Sequence, residues 1–150
     1  MLRVAIVATP ADRVAVRALG PWLVRTAPRS LCGEVTIALV SDARMRALNR
    51  QFRRVDAATD VLSFPSRGGL GIGDIAIARG VAARQAKAAG HTLATETRML
   101  ALHGLLHLAG YDHASDDGRM ARLEARLRKK GRLPAGLIER AAAPPKRRRP

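Results

Sequence analysis

Cysteine is almost absent from this chain, and so are aromatic residues. Cys32 is the single cysteine of 150 residues, which excludes an intramolecular disulfide framework and fits a reducing cytoplasm. Only Trp22, Phe52, Phe64 and Tyr111 are aromatic, so a platform of stacked rings of the kind used by single-strand binders is poorly supported. No apolar stretch approaches the ~20 residues of a membrane span. The apolar run at 4–8 is too short for a signal segment and is followed by Pro10, so it reads as an edge-type strand. Acidic residues are also scarce, 12 against 27 basic, for a net charge of +15. Of the basic residues 23 are Arg, a preference that a GC-rich genome explains; the excess of basic over acidic residues is not explained that way. It points to a polyanionic partner, most often nucleic acid, and Arg grips phosphate in a bidentate fork.

Histidine is rare but clustered. Three of the four fall in His103-Gly-Leu-Leu-His107-Leu-Ala-Gly110-Tyr-Asp-His113. His103 and His107 are four apart and share one helix face. Gly110 can end that helix in a left-handed conformation, and His113 can then return toward the pair. Three imidazoles at one point make a zinc site with an open fourth position. A lone histidine on an apolar helix face is usually a satisfied core residue, but the full spacing is much more specific. It shares the spacing of the metzincin protease signature, with Gly104 where those proteases carry the general-base Glu. That departure argues against peptidase chemistry and leaves the metal reading intact. His91, after Gly90, is a conceivable fourth ligand but reads as a surface or capping residue. Asp112, beside a ligand, either orients an imidazole or bonds its own loop.

Residues 2–8, 34–40, 61–64 and 74–78 read as strands. Helical spacing is found over 11–27, with Pro21 bending or interrupting it. Further helices read from a Ser41-Asp42 cap to about Phe52, over 79–89 up to Gly90, from a Thr92 cap over 93–109, and from a Ser115 cap to about Lys130. Met45, Leu48 and Phe52 form the expected inward face of the second helix. Residues 66–73 hold four glycines and read as a mobile loop. The expectation is one α+β domain over 1–140: a small mixed β-sheet packed with about five helices, the metal site on a helix of the C-terminal half. Residues 141–150 read as a disordered basic tail, either adding phosphate contacts or a solvated extension. It holds four positive charges, so the remainder still carries about +11.

A second constellation is Asn49-Arg-Gln-Phe-Arg53-Arg-Val-Asp56-Ala-Ala-Thr59-Asp60-Val-Leu-Ser63-Phe64. Most of it reads as helix end, turn and strand, with Asp56 and Thr59 bonding local backbone. Arg53, at the helix end, is placed where a side chain can reach into a cleft and clamp a phosphate.

These two blocks, with Gly73-Asp74-Ile75, resemble the YbeY family of bacterial endoribonucleases over roughly residues 30–130. The resemblance implies a zinc-dependent, single-strand endoribonuclease of the cytoplasm, acting in small-subunit rRNA 3′-end maturation and ribosome quality control. It implies one Zn²⁺ per chain held by His103, His107 and His113. Arg53 matches the family's cleft arginine and takes a catalytic and substrate-binding role. The implied partners are rRNA or other single-stranded RNA and a ribosomal particle, with no membrane. The nucleophile is left open between a metal-activated water and the substrate's 2′-hydroxyl. A zinc peptidase and a non-catalytic ribosome-associated RNA-binding factor remain the competing classes.

Overall fold

A computed structural model describes residues 1–68, 71–112 and 114–134. The alternating, β-branched stretches form β1 (Leu2–Val7), β2 (Gly33–Val40), β3 (Val61–Pro65) and β4 (Gly71–Ala78). Between and after them lie α1 (Leu19–Thr26), α2 (Asp42–Arg53), α3 (Arg79–Ala89), α4 (Leu93–Leu108) and α5 (Arg119–Lys130). The sheet order is β1-β2-β4-β3; β1, β2 and β4 run parallel and β3 pairs antiparallel with β4. Among the described residues the fold is α+β with a small mixed sheet and five α-helices, as expected.

The alternation along β4 explains the layering. Ile75 and Ile77 face the main core, shared with Leu19, Trp22, Leu23, Leu100, Leu105, Met120 and Leu127. Ala76 and Ala78 face the opposite side, where Met45 of α2 packs with Leu62. Residues 99–106 of α4 are all buried. That helix has little amphipathic character because it is enclosed on several sides, by the sheet, α3 and α5. A histidine on it is therefore held by packing as well as by its own bonds.

Several expectations need correction. Residues 11–27 are not one helix: a 3₁₀ turn at Pro10–Asp12 and irregular turns precede α1. Pro21 lies in the first turn of α1, where its missing N–H would have had no partner within the helix. Gly71 and Gly73 belong to β4 rather than to a loop spanning 66–73. Residues 69 and 70 lie outside the described residues, as does the tail at 141–150. Ser115 does not cap α5. The N-cap position is Gly118, in a left-handed conformation, and Asp116 just before it accepts from Gly118 N at 3.1 Å and Met120 N at 2.8 Å, while Ser115 Oγ donates to Asp112 Oδ2. Phe52 is 51% exposed, leaning edge-on against Phe64 at 5.2 Å, and Asn49 takes the buried place, donating to Ala57 O.

Two carboxylates tie the ends of these elements together. Asp12 is buried and accepts from Thr9 N, Thr9 Oγ1 and the Nε and Nη2 of Arg79, which also donates to Leu39 O. Asp42, the first residue of α2, accepts from Gly80 N, Val81 N and Arg84. The Arg79 hydrogen bonds hold the Asp12 carboxyl below its usual value of 3.8. For Asp42, burial pushes up, but Arg84 and the two backbone donors outweigh it and the net shift is down. A depressed folded-state pKa stabilises fully above the unfolded value and is lost as pH falls through the folded one. Asp12→Asn is therefore expected to cost about 1–2 kcal/mol at neutral pH, below the full charged-bond range because Arg79 is a third exposed. The gap to the parent narrows below about pH 4. Urea unfolding across a pH series reads both effects, and a gap that stays constant with pH would contradict them.

Candidate metal centre

α4 ends in a motif its sequence dictates. Gly110 N donates to His107 O and Tyr111 N to Leu106 O, the paired bonds of a Schellman turn, with Gly110 at φ 96°. Only glycine adopts that conformation without strain, and the turn sends the chain back from the end of α4.

His103 and His107 point their rings at one another, centroids 4.8 Å apart and planes at 73°. Their Nε2 atoms lie 3.1 Å apart. Behind His103, Nδ1 lies 2.8 Å from Glu124 Oε2 of α5, and both side chains are buried. A carboxylate only accepts, so Nδ1 carries the proton and the His103 Nε2 lone pair is turned toward His107. Two nitrogen ligands of one tetrahedral zinc, each at ~2.05 Å, stand roughly 3.3 Å apart. The observed separation fits that requirement, and a carboxylate behind the ring is the usual support of a metal-binding imidazole. His113 lies outside the described residues. Among the described residues no three His, Cys, Asp or Glu side chains gather to hold a metal, and His103 with His107 supply two donors. Cys32 is exposed beside the N-terminus.

Gly104 is packed rather than open. A Cβ there would stand 3.0 Å from Ile75 Cγ2 and 3.1 Å from Ser63 Oγ, and Ile75 is itself buried. The position at which metzincins carry their catalytic Glu faces the sheet here.

Ser63 links the second constellation to the first. Its Oγ donates to Gly104 O at 3.0 Å, while its own carbonyl accepts from Arg53 Nη2 at 2.9 Å. Arg53 is exposed, with its guanidinium 5.9 Å from the Phe64 ring centroid. No carboxylate pairs with it among the described residues, so it keeps donors for an anionic ligand. Arg53 and His103 thus sit on two elements, α2 and α4, that are pinned to the same strand residue.

The remaining sequence candidates have bonds of their own. Asp56 forms a bidentate pair with Arg46, at 2.7 and 3.0 Å, rather than bonding local backbone; the Arg46 hydrogen bond lowers its pKa. Thr59 Oγ1 reaches Asp60 Oδ1. Asp112 accepts from Ala114 N and Ser115 Oγ, closing the loop after α4. His91 is half-buried and paired with the wholly buried Glu96; it precedes α4, whose first residue, Leu93, stands roughly 15 Å of helix from His103, so it is neither a surface residue nor near the centre. Sequence reasoning missed Glu124 and Ser63. Glu124 was findable: it lies four residues after Met120 and three before Leu127, a carboxylate on the apolar stripe of α5.

The family model for endoribonuclease YbeY matches residues 13–131. An endoribonuclease YbeY of Solibacter usitatus is 59% identical over 102 residues, 68% of this chain and 69% of that protein. One of Koribacter versatilis is 50% identical over 115 residues, 77% and 76% of the two chains. The solution structure of a Thermotoga maritima protein aligns with a TM-score of 0.61 and 25% identity, over 99% of this chain and all of that one. A match of that extent, by chain and by fold, settles the lineage: this protein belongs to the endoribonuclease YbeY family.

Proposed function

We propose that this protein is a zinc-dependent endoribonuclease specific for single strands. In this reading it acts in the cytoplasm on the 3′ end of small-subunit rRNA and in ribosome quality control. The observation that carries the metal reading is the convergence of the His103 and His107 Nε2 atoms with Glu124 behind one ring. His103, His107 and His113 would hold one zinc per chain, which when bound supplies Lewis-acid charge at a phosphoryl oxygen. Glu124 fixes the tautomer and direction of His103. Arg53 neutralises the charge that grows on the non-bridging oxygens, while its bond to the Ser63 carbonyl and its contact with Phe64 set its direction. The chain's net charge of +15 favours a polyanionic substrate, and no described helix is long and apolar enough to cross a membrane. The buried surroundings of Gly104 argue against a peptidase.

Cleavage of a 3′-extended small-subunit rRNA fragment by the parent and by Arg53→Ala tests this. Removing one such donor costs about 10²–10³ in rate. Arg53→Ala is expected to lose that much cleavage while keeping its bound zinc, and Arg53→Lys to recover only part of it, because the fork is absent. Equal cleavage by parent and Arg53→Ala would favour a non-catalytic role.

A further inference from the structure

α5 has two faces with opposite duties. Its inward face carries Met120, Glu124 and Leu127, with Glu124 bonded to His103. Its outward face carries Arg119, Arg122, Arg126, Lys129 and Lys130, all exposed. At 100° per residue these five cations fall within one stripe about 100° wide and roughly 16 Å long. None has a carboxylate partner among the described residues; Arg122 donates only to the Asp117 backbone carbonyl. Glu124 is the one acid of the helix, and it is turned away. Arg119, Arg122 and Arg126 line a groove of about 580 Å³ with Leu123, Ala125 and Tyr111, which comes from the turn that ends the histidine helix.

Five like charges on one helix face repel each other, and none is held in an ion pair among the described residues; the nearest acid shown, Asp116, shares a hollow with Arg119 and Tyr111. The stripe is in rigid register with His103, because the helix that carries it also holds that ring. A cationic groove with one aromatic wall fits a strand of nucleic acid: phosphates against the arginines and a base against the tyrosine. An acidic protein would use the charges but gives no reason for the register or for Tyr111.

We propose that the outward face of α5 and Tyr111 bind the flank of a single-stranded RNA whose scissile phosphate lies at the His103–His107 centre. This rests on the nuclease reading above. The stripe adds affinity and strand direction without touching the reacting phosphate.

The test uses the full chain and a fluorescein-labelled oligouridine, with anisotropy titrations over a salt series and the RNA checked for integrity by gel. For single strands, each phosphate that a cation no longer neutralises lowers the salt slope by about 0.7, so Arg119→Gln/Arg122→Gln/Arg126→Gln is expected to lower it by about 2 and to weaken binding at least tenfold at low salt. Arg→Lys at the same three positions keeps most of the affinity. Should the Gln variant fail to fold, Lys129→Glu/Lys130→Glu at the exposed helix end replaces it, with the same direction expected. An unchanged affinity and slope in the folded variant overturns the proposal, as does loss of affinity only when Lys146, Arg147, Arg148 and Arg149 are replaced. Cleavage by the parent with unchanged binding by the variant overturns the stripe alone. Weakened binding by the variant, with no RNA cleaved by the parent, supports the stripe and overturns the nuclease reading.

Discussion

Replacing Glu124 by Ala is expected to lower zinc affinity by about 10–100-fold, although Glu124 itself donates nothing to the ion. The carboxylate accepts from His103 Nδ1 at 2.8 Å in a buried setting. It keeps the proton on Nδ1, fixes the ring's rotation and turns the Nε2 lone pair toward His107. Without it the Nδ1–H is buried without its acceptor, which costs roughly 1–3 kcal/mol of stability in the metal-free protein. Glu124→Gln separates the two effects. Its amide oxygen still accepts, so stability should recover most of the way, while the missing charge leaves zinc affinity below the parent's. Competition against a chelating dye reads the affinity, and urea unfolding of the metal-free chain reads the stability. Equal zinc affinity in all three proteins would mean that the 2.8 Å hydrogen bond is structural only.

Gly104→Glu is expected to be the most disruptive single change near the centre, and not to create a peptidase. The new Cβ would press on Ile75 Cγ2 at 3.0 Å and on Ser63 Oγ at 3.1 Å. Ile75 is 1% exposed in the main core and cannot give way cheaply. A small-to-large change in such a place costs about 1–3 kcal/mol for strain alone. A carboxylate without a partner adds several more, or must be protonated. The shift would also reach Arg53, because Ser63 joins Gly104 to it. Thermal unfolding and RNA cleavage should both fall, Gly104→Ala being milder on each. A stable Gly104→Glu protein that hydrolyses unfolded substrates would contradict this packing argument.

The histidine pair is legible in the sequence because its chemistry is local: two rings four apart on a helix and a glycine that stops it. The left-handed Gly110 and the αR start of α2 after Ser41 follow from single-residue preferences. Arg53 can be placed at a helix end but not against a partner. Its connection to His103 runs through Ser63, whose side chain bridges residues 41 positions apart. Glu124 is hidden for the same reason, standing 21 positions from His103. Ser115 reads as a cap because Ser is a good capping type, but the helix starts three residues later, after a left-handed Gly118, and Asp116 rather than Ser115 accepts from its first turn. The helix expected over 11–27 fails because apolar spacing does not show that Ala18 adopts a left-handed conformation and breaks the run. His91 looks like a loop residue by its neighbours, yet a buried carboxylate five residues on, Glu96, draws it inward.

The most direct test of the account compares the parent with His107→Ala, prepared identically, for bound zinc per chain and for cleavage of a 3′-extended small-subunit rRNA fragment. One zinc per chain and cleavage are expected of the parent, with neither in the variant. Cleavage undiminished in a zinc-free His107→Ala protein would contradict it.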